Sequence, residues 1–154
     1  MSLLQRDRIK LTLDAAKVVL EGAEAYAESI ALPMDIAVAD DTGFLLAFSR
    51  MDGARLTSVE IAISKAFTAA CTRRGTHEYA PLAGPGGPAF GVHVSNGGRF
   101  MIFGGGLPIL IEGQCVGGVG CSSGSPEQDQ AVAQAGIDAL LQALDKDLPA
   151  HARD

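Results

Sequence analysis

The strongest indication of the fold comes from residues 104–129, GGGLPILIEGQCVGGVGCSSGSPEQD. Apolar runs at 107–112 and 115–121, separated by a glycine-containing turn, predict two antiparallel strands. Ser125 and Pro126 then stand where the N-cap and the first residue of a helix belong. The stretch therefore predicts a hairpin that leads through a glycine turn into a helix with an acidic first turn.

On the N-terminal side of this stretch, hydrophobic periodicity predicts further helices and strands. The predicted elements are helices over 13–30 and from Thr57, and strands over 34–39, 44–49 and 99–103. The order helix, two strands, helix, three strands, helix is not a βαβ ladder. It predicts an α+β sandwich in which an antiparallel sheet of about five strands packs against helices.

The chain of 154 residues fits one domain, 1–154, with a core over about 13–144. Residues 76–98 are rich in Gly, Pro, His and Asn without periodicity, which predicts a long loop. The apolar content of 47% and the 19 glycines favour close packing and self-association.

The charge pattern excludes some partners. The net charge is -6, and the Arg73-Arg74 pair is the longest basic run, so we expect neither nucleic acid nor an anionic membrane surface as a partner. There is no apolar run of about 20 residues and no signal-peptide pattern at the start of this sequence, so we expect a cytoplasmic protein.

Charged residues at predicted element ends are the first candidates for a site. Arg50 and Asp52 flank a strand end, and a local ion pair that stabilises the turn is the alternative. Lys65 lies on a helix face where a lysine is usually solvated. Glu127 and Asp129 suit the helix dipole, and they gain functional meaning only if Arg50 or Lys65 lies opposite.

The glycines and histidines give weaker indications. The glycines before the last helix resemble a dinucleotide motif, but no later strand exists to complete it, so close packing of strand and helix is the alternative to a ligand site. The spacing of the three histidines predicts no zinc site. Within 76–98, His93 stands on a mostly apolar segment that predicts a short strand, where it is either a haem ligand or a core histidine.

Four groups of residues resemble the GlcG/HbpS-like family, which includes the C-terminal domain of PduO-type corrinoid adenosyltransferases. They are 41–43 with 48–53, 65–69, 104–109, and 116–129. The resemblance implies a profilin-like sandwich that assembles into dimers and often octamers, and haem binding in some relatives. Gly104 and Ser125 depart from the usual family residues, proline and glycine respectively.

These observations predict an oligomeric protein that binds haem or a small, anionic, organic ligand near Arg50, Lys65 and 104–129. The candidate ligand-binding residues are Arg50, Lys65, His93, Gly104, Gly105, Gly106, Ser125, Glu127 and Asp129. The alternative is a small catabolic enzyme, a lyase or isomerase of an organic or aromatic acid, with Lys65, Asp52 and Glu127 as catalytic residues. A third hypothesis is a purely structural assembly subunit without a pocket.

Overall fold

A computed structural model describes residues 3–147, so His151 and the rest of 148–154 lie outside the described residues. The helices are α1 (Leu13–Ser29), α2 (Ser58–Thr72), α3 (Ala80–Ala83) and α4 (Pro126–Asp147). The strands are β1 (Asp35–Asp40), β2 (Leu45–Arg50), β3 (Gly106–Ile111) and β4 (Gln114–Ser122). The two predicted hairpins and the three long helices are therefore confirmed.

The strands form one antiparallel sheet in the order β2-β1-β4-β3. Successive side chains of a strand point to opposite faces of the sheet. Ile36 and Val38 face the core shared with α1 and α4, whereas Ala37 and Ala39 face Ala62 and Ala66 of α2. The predicted α+β sandwich is thus confirmed, with α1 and α4 on one face and α2 on the other.

The described part of the sheet has four strands, and the predicted strand at 99–103 is absent. The reason is that its backbone bonds to helix α2 instead of to the sheet. Met101 N donates to Thr68 Oγ1 over 2.9 Å, and the Thr68 hydroxyl shares its proton between the carbonyl oxygens of Ser64, at 2.8 Å, and Arg99, at 3.1 Å. A threonine side chain therefore takes the place of a neighbouring strand.

Helix α2 lies unusually close to β4 because β4 presents glycines to it. A Cβ atom on Gly118 would lie 2.7 Å from the backbone nitrogen of Ala70, and one on Gly120 would lie 2.9 Å from Lys65 Cβ. Either contact is closer than non-bonded carbon and nitrogen atoms approach. Close packing of helix and strand thus accounts for these two glycines.

The predicted helix starts have different outcomes. Ser125 caps α4, because its hydroxyl accepts from Gln128 N over 3.2 Å and its own N–H donates to Gln128 Oε1 over 2.9 Å. Thr57 and Glu60 have the spacing of a capping box, which predicts a capped helix start, but the Thr57 side chain makes no capping hydrogen bond, so this prediction is wrong.

The predicted loop 76–98 contains short helical segments. They are 3₁₀ turns at Thr76–Tyr79, Val92–Val94 and Asn96–Gly98, together with α3. His93 therefore lies in a 3₁₀ turn and not in a strand as predicted. Within residues 3–147, no helix is long and apolar enough to cross a membrane.

Candidate functional site

The antiparallel register brings most of the predicted site residues to one end of the sheet. Asp35 at the start of β1 pairs with Arg50 at the end of β2 and with Ser122 at the end of β4. Gly106 at the start of β3 lies at the same end, since it pairs with Gly120 of β4. Because β2 and β3 are the two outer strands, about three strand spacings or ~14 Å separate the Arg50 side from the glycine side.

On the glycine side, Lys65 and Asp129 form a buried ion pair. Lys65 is 0% exposed and Asp129 is 2% exposed. The Lys65 Nζ atom donates to Asp129 Oδ2 over 2.7 Å and to the Cys121 carbonyl oxygen over 2.9 Å. Its third face lies 4.7 Å from the centre of the Phe103 ring. The ammonium group is therefore satisfied on all sides, in contrast to the solvated lysine usual at such a position.

The second carboxylate oxygen of Asp129 is also satisfied, because Gly124 N donates to Oδ1 over 2.8 Å. Asp129 thus holds the glycine turn before α4 as well as the lysine of α2. Of the two acidic residues in the first turn of α4, Asp129 lies opposite Lys65, whereas Glu127 is exposed.

Gly105 makes room for this pair. It has φ +122°, and a Cβ atom there would lie 2.6 Å from Lys65 Nζ and 2.7 Å from Asp129 Cβ. A side chain at 105 would therefore displace the pair as well as strain the backbone. Gly104 and Gly106 also face close neighbours, Pro126 and the backbone of Lys65 respectively.

Burial lowers the pKa of Lys65, and the hydrogen bond and charge of Asp129 oppose this shift. An easily deprotonated lysine can serve as a base or nucleophile when a substrate reaches it. Here Phe103, Asp129 and Cys121 surround Nζ, so the described arrangement uses the lysine to connect α2 with α4.

Beside the pair, a cleft of about 340 Å³ opens at the start of α4. Its lining consists of His77, Ala80, Phe103, Gly104, Pro126, Glu127 and Gln130. Phe103 forms both the wall of the cleft and the cover over Lys65. The hydrogen bonds that Glu127 accepts from its own backbone N–H and from the Ser125 hydroxyl lower its pKa, so the mouth carries a negative charge. Among the described residues that line the cleft there is no lysine or arginine to bind an anionic ligand.

On the Arg50 side of the sheet, sequence reasoning missed Asp35 of the inner strand β1. It is fully buried, its Oδ2 accepts from Ser123 Oγ over 3.4 Å, and its Oδ1 has no hydrogen-bond partner within 3–147. Burial raises its pKa, and the Ser123 hydrogen bond and the Arg50 charge partly offset this. Ser123, with φ +127°, also accepts from Arg55 N over 3.0 Å. The signal available in the sequence was an aspartate followed directly by four apolar residues of a predicted strand.

Arg50 and Asp52 are exposed, and no ion pair joins them in the described part of the chain. The charge of Arg50 acts on Asp35 across the β1–β2 pairing. Arg50 and Lys65 therefore do not form one pocket. The three catalytic candidates are separated too, because Lys65 is buried, Asp52 follows the β2 edge and Glu127 lies beside the β3 edge.

His93 lies away from both groups, in the 3₁₀ turn before β3. Its ring is half-buried and packs edge-on to Phe90, with ring centres 6.0 Å apart. Its Nδ1 atom is buried without a hydrogen-bond partner in residues 3–147. The flanking Phe90 and Val94 are 63% and 73% exposed. No group of three or more His, Cys, Asp or Glu within 3–147 could hold a metal ion.

Comparison with known proteins agrees with this fold. Residues 11–138 match the family described as haem degrading protein HbpS-like. The chain belongs to the HbpS-like family. The resemblance to the GlcG/HbpS-like family that the motifs indicated is thereby confirmed.

Three relatives place this HbpS-like chain more closely. It is 42% identical to an uncharacterized 15.0 kDa protein of the dhaT-dhaS intergenic region of Citrobacter freundii, covering 83% of this chain and 90% of the relative. It is 33% identical to protein GlcG of Escherichia coli K12, covering 76% and 84%. The crystal structure of a PduOC–haem complex superimposes with a TM-score of 0.81 at 32% identity, covering 85% and 95%.

Proposed function

We propose that this HbpS-like protein binds haem. The observation that carries the proposal is the similarity, at 32% identity over 95% of that chain, to PduOC solved as a haem complex. The description of the matching family also refers to haem. A haem site needs an axial ligand and an apolar surface against the macrocycle, and the described residues can be tested for both.

The turn Val92–Val94 fits these requirements. His93 provides an imidazole, and Phe90 and Val94 are exposed apolar side chains beside it. Large exposed apolar side chains that lie together often mark a binding surface. The unpartnered Nδ1 of His93 costs free energy unless a ligand or a rearranged neighbour supplies a partner. We propose that His93 would hold the haem iron, with Phe90 and Val94 as apolar surface for the macrocycle.

Haem would supply a redox-active iron. In this proposal, a ring nitrogen of His93 would hold the iron. Phe90 would restrict the orientation of the imidazole, and Val94 would exclude water from one side of it. His77, in the cleft at the start of α4, is the alternative ligand among the described residues.

A haemin titration of the purified apo-protein tests the proposal, with gel filtration to remove unbound haemin and a visible spectrum of the protein peak. We expect a saturable, sharpened Soret band. We expect His93→Ala to weaken haemin binding at least about tenfold, or 1.4 kcal/mol. His77→Ala is the matched control and should bind haemin like the wild type.

Two results would contradict this assignment. Loss of the band in His77→Ala with retention in His93→Ala would move the site to the cleft at the start of α4. A haemin titration of the wild-type protein that does not saturate would overturn haem binding itself.

We also propose that the protein self-associates, as the composition indicated. Both outer strands, β2 and β3, have an edge without a neighbour within the described chain. Phe44, Leu56 and Leu110 expose apolar surface on or beside these strands. Unprotected edges and apolar patches favour pairing with another chain. Light scattering after gel filtration over a range of concentrations should give a mass above 15.9 kDa, and a monomer at every concentration would refute this.

A further inference from the structure

We propose that a second, polar cleft binds a small anion such as phosphate or a short carboxylate. It lies between the N-terminal segment, the end of α2 and the β3–β4 turn, far along the sheet from the Lys65–Asp129 pair. The cleft has a volume of about 250 Å³ and is lined in part by Gln5, Arg8, Arg73, Gln114 and Cys115. This proposal is independent of haem binding.

The charges around the cleft favour an anion. Arg8 and Lys10 share one carboxylate, that of Asp41, over 3.0 Å and 2.7 Å. The charge of Lys10 also acts on the neighbouring Asp40 carboxylate, so these two cations and two anions balance. Arg73 adds a positive charge that is not balanced, because its guanidinium group has no hydrogen bond or ion pair to any residue in 3–147. In a chain of net charge -6, this cleft is therefore a local positive site.

Backbone conformation holds the two arginines at the cleft. Arg73 ends α2 in the left-handed conformation, with φ 59°. The N-terminal segment is held against β4 by the hydrogen bond from Ile9 N to Gln114 Oε1, over 3.3 Å. Since Gln114 accepts through its oxygen, its amide group remains as a neutral donor. Two guanidinium groups and side-chain amides are the donor set that suits phosphate and carboxylate oxygens.

The size of the cleft limits the ligand. A volume of 250 Å³ corresponds to about eight water molecules at roughly 30 Å³ each. It is below the range of about 300–1,000 Å³ usual for drug-sized ligands. Inorganic phosphate or a carboxylate of a few carbons therefore fits, whereas a porphyrin does not.

Isothermal titration with inorganic phosphate, and separately with malonate, tests the proposal at constant ionic strength and with chloride as the reference ion. Arg73→Gln is the test variant. Arg74→Gln is the matched control, because it removes the same charge from the adjacent position, which does not line the cleft. We expect Arg73→Gln to weaken binding at least about tenfold and Arg74→Gln to change it less than about twofold.

Each outcome has a definite meaning. Saturable binding of one of the two anions, lost in Arg73→Gln alone, supports the proposal and identifies the phosphate or carboxylate class. Equal loss in the two variants would show unspecific attraction by charge and overturn it, as would the absence of binding by the wild type. A thermal melt of each variant without anion shows that the fold is retained, and the haemin titration reports separately on the haem proposal.

Discussion

The Lys65 Nζ atom lies 2.7 Å from Asp129 Oδ2, and both side chains are buried. Lys65 belongs to α2 on one face of the sheet, and Asp129 to the first turn of α4, which packs on the other face. The pair therefore joins the two helix layers around the start of β3. Because neither group contacts water, removal of one partner leaves a buried charge uncompensated.

Lys65→Met tests this connection. The change keeps an unbranched apolar side chain but removes the ammonium group, which leaves the Asp129 carboxylate buried with one hydrogen bond. We expect the free energy of unfolding to fall by about 3–5 kcal/mol, as measured by urea denaturation. The matched control is Lys17→Met, since Lys17 and Asp14 form an exposed pair at 4.0 Å that contributes less than about 0.5 kcal/mol. A similar small loss in both variants would show that the buried pair is dispensable.

Gly105→Ala tests the close contact beside the pair. The new Cβ atom would lie 2.6 Å from Lys65 Nζ at a positive φ, so clash and backbone strain add together. We expect a loss of more than about 2 kcal/mol in the free energy of unfolding. Gly113→Ala carries strain alone, since nothing lies within 4 Å of its Cβ, and it should lose only about 1 kcal/mol. Equal losses in urea denaturation would contradict the proposed clash.

Asp35→Asn should change how stability depends on pH. Burial raises the pKa of Asp35 above its ordinary 3.8 in the folded state. In the pH range between 3.8 and the raised pKa of the folded state, the folded state binds more protons than the unfolded state. The wild type therefore loses stability as the pH rises through this range. Asparagine does not titrate, and we expect the variant to gain about 1 kcal/mol over the wild type at neutral pH and less in acid.

Urea denaturation at several pH values measures this difference. The exposed Asp52→Asn is the control and should follow the wild-type curve within about 0.5 kcal/mol. A gain for Asp35→Asn that stays the same from acid to neutral pH would mean that the carboxylate charge is not its cause.

Thiol labelling should distinguish the cysteines. Cys71 is exposed and Cys121 is buried, and burial raises the pKa of the Cys121 thiol. We expect an aromatic disulfide reagent to label Cys71 in the native protein and Cys121 at least about a thousandfold more slowly, at the rate allowed by unfolding. Cys71→Ser should remove the fast phase. Rapid labelling of Cys121 in that variant would show that the core opens more easily than its burial indicates.

The sequence predicted the hairpin of β3 and β4 and the start of α4 within a few residues. These features depend on neighbours along the chain, such as the apolar run that forms β4 and the Ser125–Gln128 capping box. The strand predicted at 99–103 is absent because its backbone hydrogen bonds depend on a residue far from it along the chain. Its local pattern suits a strand, but Thr68 of α2 takes up its hydrogen bonds.

For the candidate site, sequence reasoning nominated Lys65, Asp129 and Gly105 separately, and the fold brings the three together. It did not nominate Phe103 and His77 of the adjoining cleft, since a lone aromatic residue and a loop histidine carry no spacing pattern. It paired Arg50 with Lys65, whereas Arg50 ends the outer strand β2. Lys65 lies on α2 beside Gly120 of β4 and Gly106 of β3, which are two and three strands away from β2.

By itself the sequence determined the element types, the turns and the family, because periodicity, capping and glycine spacing act over a few residues. Which charged side chains are buried, and which of them lie in contact, depends on the tertiary structure. Lys65 and Asp129 are 64 positions apart, and Arg8 and Arg73 share a cleft only because the N-terminal segment packs beside the end of α2. The environment of a charge depends on every element packed around it, and local sequence does not encode that packing.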